Sequence, residues 1–288
     1  MGIGTRQPPT RALRVLAARG LSDRRPNLPS MAPAEDDISI DEKRVYAGTA
    51  GRTDAYVATE GGVVRVALSA DKVGAFDMGA GDPARDAAVL PKRDAAGVVG
   101  VATPDGLRVA SVGDDPAFEP VGGSTAAVAV GAHDGTFLVA DEDGAIDRVA
   151  VDAGVADLTA TPIGTVSEPR AIDGPLVAAA DGIHRFTGDG ASGATGGLAG
   201  EGESGTAGGL AGDGESGPTG ALDAVGLDDA RDVAGSGLPL AATGAGVYWL
   251  GNGWMTALAG DATAVAADGD GHAMAVVDGD LFVHDREA

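Results

Sequence analysis

The chain has 288 residues, 43 of them acidic and 20 basic, for a formal charge of −23. So large an excess of carboxylates excludes the clustered Lys and Arg that bare nucleic acid demands, and it speaks against an anionic membrane surface. Cysteine is absent, which removes disulfides, thiolate nucleophiles and Cys-ligated zinc together.

Only Lys43, Lys72 and Lys92 are lysines, and the apolar residues are mostly Ala and Val, with 3% aromatics. Core burial must therefore be spread over many small side chains. In molar salt the Debye length falls to about 3 Å, so a crowded carboxylate surface stops repelling itself and holds water. The composition predicts a halophilic, cytoplasmic protein. No apolar run approaches the ~20 residues of a membrane-spanning helix.

In chain order, residues 1–30 come first and differ from the rest, with six Arg (Arg6, Arg11, Arg14, Arg19, Arg24, Arg25) against the single acid Asp23. Arg24-Arg25 is followed by Pro-Asn-Leu-Pro-Ser and not by an apolar stretch, so a secretory signal does not fit. Residues 1–30 read as a basic disordered extension, a targeting or interaction arm or a segment upstream of a natural start at Met31. The folded part is expected over 31–288.

From residue 55 onward one unit recurs: a short apolar strand, a turn ending in Gly, and a second apolar strand. The turn glycines are Gly62, Gly106, Gly144, Gly182, Gly246 and Gly279. Asp-Gly or Gly-Gly supplies the positive φ that a tight hairpin turn needs. The turns lie about 40 residues apart, apart from one long interval between Gly182 and Gly246. That interval contains residues 187–220, where Gly-Gly-Leu-Ala-Gly begins at Gly196 and again at Gly208. Such a Gly, Ser and Glu tract cannot bury enough apolar surface to offset chain entropy, and it reads as a disordered loop inserted into a folded domain.

A period near 40 built only of strands is that of a four-stranded propeller blade. Phe118–Val121 and Trp254–Ala257 fit the outermost strand, and the small-residue runs Ala126–Val130 and Ala264–Ala267 fit the innermost one. The expected fold is all-β, a six-bladed β-propeller. The chain stops after a third strand, so residues 38–46, with Ile38, Ile40 and Val45-Tyr46, are expected to close the ring.

The stretch Asp41–Tyr46, the hairpin at 55–68 and the segment Val247-Tyr248-Trp249-Leu250-Gly251-Asn252-Gly253-Trp254 resemble a haloarchaeal family described as β-propeller proteins. The resemblance covers residues 31–288 without the insertion. It implies the fold and a salt-loving source, and it carries no activity with it.

Three copies of the unit open the innermost strand with an arginine: Arg85, Arg170 and Arg231. If these strands line a channel, three guanidiniums point to one mouth, and their planar forks suit a carboxylate or phosphate ligand. The plainer reading pairs each with Asp86, Asp232 or an aspartate of the next blade. The turns place Glu60, Asp105, Asp143, Asp181 and Asp278 on one face, able to gather cations or meet a basic partner, although Asp is also a preferred turn residue.

Tyr248, Trp249 and Trp254 are a candidate partner-binding cluster, since Trp is enriched where proteins dock, with core packing as the alternative. The four His occupy unrelated places in the repeat, no Gly-x-Ser-x-Gly elbow or phosphate loop occurs, and Asp268-Gly269-Asp270-Gly271 lacks the later ligands of a calcium loop. The sequence therefore predicts no metal, no cofactor and no catalytic set. It points to a monomeric, non-catalytic platform for a protein partner, with a small anionic ligand at the channel mouth, as sensor or enzyme, as the alternative.

Overall fold

Each hairpin forms for the same local reason: two β-branched or Ala-rich runs flank a turn whose last residue is a glycine with φ between 85° and 154°. The glycine at each of these turns avoids the Cβ clash that other residues would suffer. In a computed structural model that describes residues 16–18, 52–69, 72–92, 96–113, 115–151, 155–188 and 221–285, six such hairpins build a six-bladed β-propeller.

The first sheet holds β1 (Leu16–Ala18), β2 (Arg52–Thr59), β3 (Gly62–Ser69) and β4 (Lys72–Ala80); the second holds β5 (Asp86–Leu90), β6 (Val98–Thr103), β7 (Gly106–Ser111) and β8 (Glu119–Pro120). The third holds β9 (Ala127–His133), β10 (Thr136–Asp141), β11 (Ala145–Ala150) and β12 (Thr161–Thr165); the fourth, β13 (Pro169–Asp173), β14 (Leu176–Ala179), β15 (Gly182–Thr187) and β16 (Ala221–Gly226). The fifth holds β17 (Ala230–Ala234), β18 (Leu240–Thr243), β19 (Gly246–Leu250) and β20 (Trp254–Ala259). The sixth has three strands among the described residues, β21 (Ala262–Ala267), β22 (Ala273–Val277) and β23 (Asp280–His284).

All these pairings are antiparallel, and within each sheet the strands follow chain order from the axis outward. The six hairpins match the predicted copies. The Gly-rich tract lies outside the described residues except at its edges, where Thr187 and Ala221 face each other across β15 and β16, so the insertion joins a third strand to a fourth. The strand expected from residues 38–46 also lies outside them. Of the basic extension, Leu16–Ala18 is described, and it pairs with Asp54–Tyr56 of β2.

The core is a series of apolar layers, one between each pair of consecutive sheets from first to sixth. Ala and Val dominate, and a few large residues are fitted against glycine. A Cβ on Gly100 would press on the ring of the fully buried Phe137 in the next sheet, and one on Gly131 would strike Ile172. Small-against-large packing of this kind gives native density without many aromatics.

Candidate functional site

The candidate site lies at the start of the innermost strands, the end at which a propeller's central channel would have its mouth. Sheets two and five open them with the same dipeptide, Arg85-Asp86 and Arg231-Asp232, whose two side chains serve different purposes. Asp86 and Asp232 are buried. The Oδ2 of Asp86 accepts from the Val130 N–H at 3.0 Å, and that of Asp232 accepts from the Val265 N–H at 3.0 Å, in each case on the innermost strand of the following sheet. The Oδ1 atoms accept from Ala87 N–H and Val233 N–H, both at 2.9 Å. Asp173 does similar service from the end of β13, accepting from Gly235 N–H at 2.8 Å. These carboxylates are staples between blades.

The arginines also reach forward by one blade. Arg85 pairs with Glu142 and donates to the Ala127 carbonyl. Arg170 donates to Asp229 Oδ1 at 2.6 Å and to the Ala230 carbonyl, and Arg231 donates to Asp261 Oδ1 at 2.6 Å and to the Ala262 carbonyl. Each guanidinium thus binds the first residue of the next innermost strand and an acid beside it. Arg231 Nε also lies 3.5 Å from Asp229 Oδ2, so Arg170 and Arg231 share one carboxylate, whereas Arg85 belongs to a separate pair. The hydrogen bond from Arg170 holds the Asp229 carboxyl below its ordinary range, with the charges of Arg170 and Arg231 adding to the effect. All three arginine side chains keep about 30% of their surface exposed.

Around this mouth stand the hairpin turns. Glu60, Asp105, Asp143, Asp181 and Asp278 are all exposed there. Several turns are locked by a hydroxyl: Thr59, Thr103 and Thr243 each donate to the carbonyl of the turn glycine three residues on. Asp181 accepts from Ser167 N–H, which ties the fourth hairpin to the loop leaving the third sheet, and lies 3.2 Å from His184 Nε2. Burial works against ionisation of Asp181, but these hydrogen bonds outweigh it and lower its pKa.

The three candidate aromatics do not share one surface. Register pairs Trp249 with Met255 and Leu250 with Trp254, so Trp249 and Trp254 project from opposite faces of the fifth sheet. Tyr248, one residue before Trp249, lies on the Trp254 side. Trp254 is committed inward: its Nε1–H donates to the Val225 carbonyl of the fourth sheet at 2.9 Å, and its ring packs on that sheet's core. A surface depression of about 450 Å³ lies away from the mouth, between the outer edges of the second and third sheets, lined by Glu119, Asp157 and Thr159 among others.

Sequence reasoning missed Asp173, and it offered Asp86 and Asp232 as ion partners of the arginines without seeing that they staple one blade to the next. The Arg-Asp dipeptide at two equivalent strand starts was the available signal. No helix of the described residues is long and apolar enough to cross a membrane.

A family model described as Beta-prop_HVO_0234-like, beta propeller, matches residues 39–210 and 211–288. No curated protein matches the chain. Among solved structures, the β-propeller domain of Cps50 (Swd1) from Myceliophteria thermophila is similar at 12% identity and a TM-score of 0.49, over 80% of this chain and 79% of that one. The extracellular domain of BT4673 from B. thetaiotaomicron is similar at 11% identity and a TM-score of 0.47, over 82% of this chain and 30% of that one.

Proposed function

We propose that this chain, which belongs to the HVO_0234-like beta-propeller family, works as a non-catalytic platform that holds a protein partner in a salt-loaded cytoplasm. One observation carries the reading: the hairpins turn towards a single face, and carboxylates at five of the six turns are exposed on it. A ring of like charge on a rigid scaffold offers a basic protein surface close contact pairs and sets its orientation. Trp249, beside the exposed Met255, adds an aromatic flank of the kind that anchors interfaces. The acidic composition supports a setting of molar salt, where only close, partly desolvated charge pairs keep their strength.

The alternative, a small anion held by Arg85, Arg170 and Arg231, has less support. Each guanidinium already serves a carboxylate and a carbonyl, so a ligand would have to displace an internal partner of equal charge.

The test uses tagged full-length chain purified in molar KCl, beside a variant in which Glu60→Lys, Asp105→Lys and Asp143→Lys are combined. A partner retained by the parent and lost by the variant is the expected result. Equal retention by both removes the turn face from the reading, and a small molecule recovered with the chain instead of a protein favours the channel mouth.

A further inference from the structure

β20 is the outermost strand of the fifth sheet, and among the described residues no strand pairs with its outer side. A bare strand edge is a template for one more strand, so folded proteins guard such edges with charge or proline. The other four-stranded sheets follow that rule: β4 carries Lys72 and Asp77, β8 Glu119 and Pro120, β12 Pro162 and β16 Asp223. β20 reads Trp-Met-Thr-Ala-Leu-Ala over Trp254–Ala259, with neither a charge nor a proline, in a chain of formal charge −23. Its guard is missing where carboxylates are plentiful.

The hydrogen-bond pattern shows which groups this edge offers. Leu250 N–H donates to the Pro239 carbonyl, so Leu250 and, by alternation, Tyr248 turn their backbone groups to β18, while Trp249 turns its own to β20. Met255, opposite Trp249, is thereby used within the sheet, whereas Thr256, opposite Tyr248, directs its N–H and C=O outward. The side chains alternate as well. Met255 is 40% exposed and lies with the Trp249 ring against Gly251 on one face, and Thr256 is exposed on the other.

We propose that the outer edge of β20 takes up an extended segment of a partner protein as a fifth strand, a segment in which apolar and hydroxyl residues alternate and Lys or Arg stand at the ends. Main-chain hydrogen bonds hold such a strand, and alternate side chains select it. The apolar set lies beside Met255 and Leu258, and the hydroxyl set beside Thr256. The basic ends answer the acidic surface around the strand, including Asp223, exposed on β16, whose Val225 carbonyl accepts from the Trp254 indole. A second copy fits less well. The strand is about 20 Å long, so two copies meeting edge to edge would share a narrow seam, short of the ~1,200 Å² that a stable pair buries, and would bring together two chains of charge −23. The edge runs along the rim of the propeller and uses none of the turn carboxylates, so it stands apart from the partner reading above.

The probe is a fluorescein-labelled peptide of alternating Val and Thr closed by Arg at both ends, titrated into the full chain in molar KCl. Saturable binding is expected, with the Thr256 amide protected from hydrogen exchange only when the peptide is present. N-methylation of one alternate set of peptide amides is expected to abolish binding and of the other set to leave it, because every second N–H of an added strand enters the ladder. Thr256→Pro removes an outward donor, spares the bonds to β19 and is expected to weaken binding about tenfold or more. Because that variant could disturb the fold, the methylated peptides are read on the parent chain. The combined Glu60→Lys, Asp105→Lys and Asp143→Lys variant is expected to bind the peptide as the parent does, and a loss there would overturn the proposal by assigning the peptide to the turn face. No binding by the parent, equal binding of both methylated peptides, or undiminished binding by a folded Thr256→Pro would also overturn it. So would a Thr256 amide protected in the free chain: with a doubled mass it gives the edge to a second copy, and without one to the chain itself.

Discussion

β15 and β23 hold the same place in their sheets and each follows an Asp-Gly pair, Asp181-Gly182 and Asp278-Gly279, both glycines having positive φ, although Gly182 already pairs with Ala179 and Gly279 stays in its turn. Each pairs in simple antiparallel register with the strand before it. Yet Ile183 and Phe186 of β15 are buried, while Leu281, Phe282 and Val283 of β23 are exposed. Local sequence thus makes the hairpin in both cases, and neighbours decide what it buries. β15 has a fourth strand beside it and packed sheets on both faces, whereas among the described residues the sixth sheet, to which β23 belongs, has a packed sheet on one face only.

The largest effect that could break this comparison is a matched pair of truncations. Ile183→Ala removes a fully buried branched side chain from a packed layer and is expected to cost about 3 kcal/mol. Leu281→Ala is expected to cost under about 0.5 kcal/mol, because the side chain is 64% exposed and leaves no packed layer behind. Denaturant unfolding of the full chain at one fixed salt concentration measures both. Equal losses would mean that the last hairpin is packed like the fourth.

Staples between sheets sharpen the contrast next. Asp232→Ala leaves the buried Val233 and Val265 amides without their acceptor and is expected to cost about 2 kcal/mol. Asp86→Ala should cost about the same by the same reasoning. A loss below about 0.5 kcal/mol for either would show that water or another group takes over the amides.

The fold was legible in the sequence because its evidence is local. Six glycine turns at a near-constant interval announce six hairpins, and each of those glycines has positive φ. The site was legible only in outline. Arg85, Arg170 and Arg231 could be placed at strand starts by counting, but their partners Glu142, Asp229 and Asp261 come from the following blade or the loop before its first strand. Which acid each arginine meets depends on the rotation between sheets, and no periodicity within one sheet encodes that. Trp254 is similar, because its hydrogen bond to Val225 crosses from one sheet to another. Leu16–Ala18 carries no alternation long enough to separate it from the basic residues around it, and only its pairing with β2 reveals it as a strand.

Smaller effects come from the partly exposed ion pairs. A double-mutant cycle on Arg170 and Asp229 should give a coupling under about 1 kcal/mol, since both side chains remain in contact with water. Because the Asp229 pKa is lowered in the folded state, the contribution is present above the ordinary carboxylate value of 3.8 and is lost as pH falls through the folded one. Raising the salt should shrink the coupling further. A coupling that grows in molar KCl would contradict a Coulombic origin.

Asp147 should behave with the opposite sign and the smallest size. It lies on β11, the third strand of the third sheet, where burial raises its pKa and the nearby charge of Asp141 raises it further. A raised folded pKa means that the ionised carboxylate is a penalty at neutral pH. The penalty is relieved as pH falls through the folded value and is gone below 3.8, where the unfolded chain also holds the proton. Asp147→Asn keeps the shape and removes the charge, so it should raise the Tm slightly at neutral pH and match the parent in acid. Thermal scans at a series of pH values, all in the same salt, provide the measurement. If the variant is no more stable at neutral pH, the carboxylate has a compensating partner in the folded chain, and burial on a third strand costs this charge nothing.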